Sequence, residues 1–219
     1  MFAAIASVLF PPKCILCRRL LTRSETDLCH SCRTHAPELL HKKRNIPFIA
    51  QWTAVWYYKD DVRKSIHRYK FYNARSYADA YARNLAVKLM DTSFFDSVDL
   101  ITWVPTSFLR RLRRGYDQSA LLAQALGREL ALPWKRTLKK IRHTPAQSTL
   151  RESAQRKANI LGAYKILNRE QVSEKRILLV DDVLTTGATA SECARVLHTS
   201  GAKEVFFAAV AVASHDNNK

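Results

Sequence analysis

The densest chemistry in this chain is a pair of carboxylates followed by a turn of threonines and glycine. Asp181 and Asp182 close the apolar run Ile177-Leu-Leu-Val180, and Thr185-Thr-Gly-Ala-Thr189 comes soon after. Four consecutive apolar residues suit a central parallel strand covered on both faces. In open α/β sheets, ligands sit beyond the carboxyl ends of such strands. Carboxylates placed there can accept hydrogen bonds from the vicinal hydroxyls of a ribose. Thr185, Thr186, Gly187, Ala188 and Thr189 then lead into a helix. Its first amides, with the threonine hydroxyls, form an anion site suited to a 5′-phosphate. Gly187 allows close approach of the backbone. One ribose 5-phosphate demands sugar and phosphate recognition a few residues apart. The plainer alternative is an acidic strand end whose threonines cap the helix.

A second cluster is made of cysteines. Cys14-x-x-Cys17 and Cys29-x-x-Cys32 are separated by eleven residues. Four thiolates so spaced fit one tetrahedral zinc ion. Disulfides are the alternative, and the cytosolic character of the α/β sequence that follows argues against them. So short a segment cannot bury a core, so the metal would supply its folding energy. Four thiolates leave no open position, so the site reads as structural. His30 reads as a bystander, and Cys193, inside a helix, as a small buried hydrophobe.

The third signal is charge. Thirty-six Lys and Arg against 19 Asp and Glu give +17 and a pI near 10.0. Such a field attracts polyanions: nucleic acid, an anionic membrane surface or a phosphate-rich metabolite. Arg110, Arg111, Arg113 and Arg114 precede Gly115. They could grip pyrophosphate or a phosphodiester backbone; a solvated face would also carry such a run. Lys70 could grip pyrophosphate or lie exposed on a helix. Lys135 to Lys157 holds eight Lys/Arg against Glu152 alone. It reads as a hood over the site, a DNA-binding surface or an exposed loop. Trp103, Tyr116 and Trp134 stand near basic residues, where single-strand binding would want stacking platforms.

These groups need a scaffold. The 219 residues, 47% of them apolar and 25% charged, allow one full domain plus a small module. The expected division is 1–45 for an N-terminal helix with the cysteine module and 46–219 for the α/β domain. Strands are expected at 52–58, 98–105, 176–182 and 204–213, with helical spacing over 62–90 (broken near 71–74), 118–130 and 188–199. Alternating strands and helices imply an α/β fold, a parallel sheet flanked by helices. Gly201 stands where a glycine ends a helix. No apolar run approaches the roughly 18 residues of a transmembrane segment. Residues 1–10 read as a short amphipathic helix, with a signal segment as the alternative. A cytoplasmic home is expected.

Val180-Asp-Asp-Val-Leu-Thr-Thr-Gly-Ala-Thr189 resembles the phosphoribosyl pyrophosphate (PRPP) signature of type I phosphoribosyltransferases. Val104-Pro-Thr-Ser-Phe-Leu-Arg-Arg-Leu-Arg-Arg-Gly-Tyr-Asp-Gln118 is similar to the arginine-rich stretch of ComF/GntX proteins, with Tyr116 and Asp117 for the usual Phe and Asn. Arg68-Tyr-Lys70, Thr144-Pro-Ala-Gln147, Arg156-Lys-Ala-Asn-Ile-Leu-Gly-Ala-Tyr164 and the cysteine spacing resemble further elements of that family. The resemblance spans about residues 10–213. It implies a phosphoribosyltransferase fold, PRPP with Mg²⁺, and a competence-type role in uptake or use of DNA. The partners it suggests are single-stranded DNA and a DNA helicase. A metabolic transferase with another acceptor, or a PRPP sensor, also fits. Purine-salvage transferases carry a catalytic Asp where this chain has Thr185, so the acceptor is not visible.

Overall fold

The computed structural model describes residues 11–40, 44–142 and 160–213. The expectations for residues 1–10, for Thr144–Gln147, for most of the basic 135–157 segment and for the C-terminal tail lie outside these. The elements are α1 (His30–His35), β1 (Gln51–Tyr57), α2 (Asp60–Phe71), α3 (Tyr77–Met90), β2 (Leu100–Trp103), α4 (Phe108–Arg114), α5 (Gln118–Glu129), β3 (Leu138–Lys140), β4 (Tyr164–Ile166), β5 (Arg176–Leu184), α6 (Ala188–Thr199) and β6 (Glu204–Val212).

Four strands form one parallel sheet in the order β1-β6-β5-β2. The apolar runs explain the centre. In β5 and β6, alternate side chains feed two separate cores. Leu178, Val180, Phe206 and Ala208 pack with Leu85 and Leu89 of α3 and Leu122 and Leu126 of α5. Ile177, Leu179, Val205 and Phe207 face the other side, with Cys193, Ala194 and Leu197 of α6. Each such side chain, fully buried, contributes about 1.5–3 kcal/mol. A strand covered on both faces cannot alternate polar and apolar residues, which is why these read as continuous runs.

The break between α2 and α3 falls at Tyr72–Ser76, where Asn73 takes a left-handed backbone (φ 52°). Asp117 caps α5 by accepting from the amide of Ala120. Gly201, with φ of 99°, follows α6 and turns the chain into β6. Two features were not expected from the sequence. The arginine run is itself a helix, α4, and β3 with β4 makes a separate antiparallel pair.

The cysteine segment is fastened to the sheet domain through α2 and α3. Ser65 and Arg68 both donate to the carbonyl of Ile15, and Arg68 also donates to that of Leu16. Arg83 makes a two-pronged ion pair with Asp27, at 2.6 and 2.7 Å. Fork-to-fork pairing of this kind fixes orientation as well as position. No helix among the described residues is long and apolar enough to cross a membrane.

Candidate functional site

β5 outruns β2: the pairing between them ends at Trp103 and Val180, so Asp181 and Asp182 pass beyond the edge of β2. Asp182 is buried and forms an ion pair with Lys70 of α2 at 2.8 Å. Asp181 accepts a hydrogen bond from the Ser119 hydroxyl at 2.8 Å, and another from the Asp182 amide at 2.8 Å. Burial pushes the Asp181 carboxyl above its usual range, and the charge of Asp182 pushes it further; Ser119 and Lys70 pull the other way. The buried pair therefore favours one proton or a nearby cation over two bare charges.

The loop that follows is shaped by one glycine. Gly187 has φ of 82° and forms the N-cap of α6. A Cβ there would lie 3.4 Å from the side chain of Ile46, an ordinary contact, so the constraint is conformational. Gly187→Ala is expected to cost about 1–2 kcal/mol, the penalty for an L-residue in this region. A fall in the urea unfolding midpoint with an unchanged slope would show it. The Thr186 hydroxyl accepts from the amide of Ala188 at 3.4 Å. Arg44 braces the loop from behind by donating to the carbonyl of Thr185.

Lys70, Arg110, Arg114, Asp181, Asp182, Thr185, Gly187 and Thr189 line one cavity of about 380 Å³. The walls bring together side chains from α2, α4, the end of β5 and the start of α6. Arg114 lies over the Phe71 ring at 4.7 Å, and burial holds its guanidinium below the usual range. The remaining arginines divide. Arg113 lines an adjoining hollow, while Arg111 stacks over Phe108 and lines neither. Thr186 and Ala188 shape the loop without lining the cavity.

Sequence reading missed several residues here. Lys140, on β3, lies 5.2 Å from the Tyr164 ring and lines the same cavity. Burial, then repulsion from Arg110, lowers its ammonium to about 8. The basic 135–157 segment reads as a hood over the site, a DNA-binding surface or an exposed loop, but nothing along the chain singles out Lys140, since a distant strand supplies Tyr164. Ser119 and Asp117 could have been found, because Asp before a helix is a capping signal. Asp117 also accepts from the amide of Thr106 at 3.1 Å, tying α5 to the segment after β2.

The aromatic platforms require correction. Trp103 and Tyr116 are buried. Tyr116 donates to the carbonyl of Tyr69, locking α2 against the start of α5. Trp134 is partly exposed, but it lies on Gly127 and bridges to Ile101, before the carboxyl end of β2. Trp103 and Tyr116 are committed to packing, Trp134 is exposed away from the cavity, and none of the three lines it.

The four N-terminal thiols converge. The sulfurs of Cys14, Cys17, Cys29 and Cys32 all lie within 4.8 Å of one another, and the group could hold a metal ion. Cys17 and Cys29 are 3.7 Å apart. Tetrahedral thiolates about 2.3 Å from zinc would be roughly 3.8 Å apart, so the donor set fits. Burial raises the Cys17 and Cys32 thiols. At Cys29 burial also raises the thiol, but the Cys32 amide and the Arg19 guanidinium outweigh it and lower the net value.

Residues 116–219 match the phosphoribosyl transferase domain family. The DNA utilization protein YhgH of Escherichia coli K12 is 32% identical over 203 residues, covering 88% of this chain and 86% of its own. The chain belongs to the ComF family. Competence protein F of Haemophilus influenzae is another ComF-family relative, 29% identical over 88% of this chain and 93% of its own. Among solved structures, the glutamine PRPP amidotransferase of B. subtilis aligns with 60% of this chain and 26% of its own. The identity is 23% and the TM-score 0.41.

Proposed function

We propose that this ComF-family chain binds PRPP in the cavity at the end of β5 and acts in the uptake or use of DNA. One observation carries the reading: a carboxylate pair and a glycine-turned helix start share a cavity with three cations from α2 and α4. Asp181 and Asp182 take the ribose hydroxyls. Thr185 to Thr189, with the first amides of α6, take the 5′-phosphate. Lys70, Arg110 and Arg114 face the pyrophosphate. Mg²⁺, when bound with PRPP, supplies charge neutralisation of that leaving group. The names of the relatives, competence protein F and DNA utilization protein, support the DNA role. The +17 charge supports a nucleic-acid partner, read here as single-stranded DNA. A helicase of the uptake machinery and a cytoplasmic setting complete the proposal.

In this reading residues 1–45 form a zinc module and 46–219 the phosphoribosyltransferase-like domain. Thr185 stands where a carboxylate base would serve purine transfer, which favours another acceptor or binding without turnover. Calorimetry with PRPP and Mg²⁺ is expected to show one site per chain. Ribose 5-phosphate should bind more weakly, because it leaves Lys70 and Arg114 without the pyrophosphate. Equal affinity for the two would remove the pyrophosphate assignment. Analysis of products from PRPP with candidate acceptors, DNA included, decides between transfer and binding alone.

A further inference from the structure

The cationic wall does not end at the PRPP cavity. Lys70, Phe71 and Arg114 also border a second hollow of about 610 Å³, together with Tyr72 and Arg113. His67 and Tyr72 in turn border a third, of about 770 Å³, reached by Arg18, Arg63 and Arg68. The three hollows share walls and form one path from the cysteine module, along α2, to the cavity. Asp60 is the single carboxylate along the second and third hollows.

Aromatic rings are interleaved with these cations. Phe71 is 46% exposed and Tyr72 70% exposed. The His67 ring is 4.7 Å from Phe71 and 5.7 Å from Tyr72, so three rings stand together on the end of α2. Trp103 and Tyr116 are spent on the core, but Tyr72 is mostly exposed. Arg63 and Arg113 are exposed and have no ion-pair partner among the described residues. Exposed rings beside unpaired cations match what a polyanion with accessible flat groups requires. A single strand offers both phosphates and free base faces, whereas a duplex buries its bases in the stack.

We infer that the face running from Arg18 past Tyr72 to Lys70 seats single-stranded nucleic acid, with its inner end bordering the PRPP cavity. This rests on the nucleic-acid reading above and gives it a location. A base stacks on Tyr72 beside the Phe71–Arg114 pair, and Arg63 and Arg113 contact phosphates. Sequence preference is weak, because stacking and phosphate contacts do not depend on base identity.

Fluorescence anisotropy of a labelled oligothymidine against the full chain, across a salt series, tests this. Tyr72→Ala is expected to lower affinity about tenfold with the salt slope unchanged, as for loss of one stacked base. Arg63→Ala is expected to flatten the slope by about 0.7, as for one phosphate contact on a single strand. Both residues are exposed, so both variants should fold. Lys175→Ala with Lys203→Ala, at the amino ends of β5 and β6, removes two charges elsewhere and should change little. If wild-type protein fails to bind at low salt, the nucleic-acid reading itself is wrong. If it binds and Tyr72→Ala is silent, or the lysine control weakens binding as much as Arg63→Ala, the face is wrong and the broader reading survives.

Discussion

Changing Asp181 and Asp182 together to asparagine is expected to cut PRPP affinity by about a hundredfold or more while the chain stays folded. A hydrogen bond to a charged group contributes about 1.5–3 kcal/mol, and the charge of two such acceptors is lost. Asparagine keeps the shape. Its carbonyl at 181 can still accept from the Ser119 hydroxyl and the residue-182 amide, the two donors that now hold Asp181. The effect on stability separates a binding defect from misfolding. Burial raises the Asp181 carboxyl above its ordinary value of 3.8. For an acid raised in the folded state, ionisation works against folding. That cost sets in as pH climbs past 3.8 and is complete above the raised value. Asp181→Asn alone should therefore hold or raise the urea midpoint at neutral pH while weakening PRPP. Asp182→Asn should be less benign, since it leaves Lys70 without its partner. Calorimetry and urea unfolding on the same preparations check both halves. Unchanged PRPP affinity in the double variant would take the ribose away from this pair.

The largest effect on stability is expected from the thiol cluster. With zinc bound, elemental analysis should find about one metal per chain, and Cys14→Ser should lose it. Structural zinc in short peptides contributes about 10–16 kcal/mol near neutral pH, more than residues 11–40 could recover by burying their few apolar side chains. Cys14 is fully buried and Leu16 nearly so, so loss of the metal exposes what little core the segment has. Limited proteolysis should then cut the variant within residues 11–40 and spare the sheet. Serine keeps the size of cysteine, so packing alone does not explain such a loss. A variant that keeps its resistance to protease and contains no metal would refute a structural zinc.

What the sequence revealed depended on how local each signal was. The runs of β5 and β6 were legible because strands covered on both faces must be continuously apolar. Gly187 and the paired cysteines were legible because their spacing is itself the chemistry. The pairing of β3 with β4 was not: each strand is three residues long, and a long stretch of chain separates them. Three residues carry no readable period. The ion pair of Lys70 with Asp182 was half visible, as two candidates that nothing along the chain links. The aromatic residues misled for a related reason. Proximity to arginine in sequence placed Trp103 and Tyr116 on a binding face, yet apolar rings at the end of a strand and the start of a helix pack inward. Tyr72 was overlooked because it sits in the break between two helices.

One helix therefore answers to both ends of the molecule. Arg68 of α2 reaches the carbonyls of Ile15 and Leu16 inside the cysteine segment, and Lys70, two residues on, reaches Asp182. Thermodynamic linkage between two such sites runs equally in both directions. If the thiols hold a metal and the cavity holds PRPP, any factor by which one raises the other's affinity is returned in kind. A chain that gained PRPP affinity on taking up metal would in turn keep that metal longer once PRPP is seated.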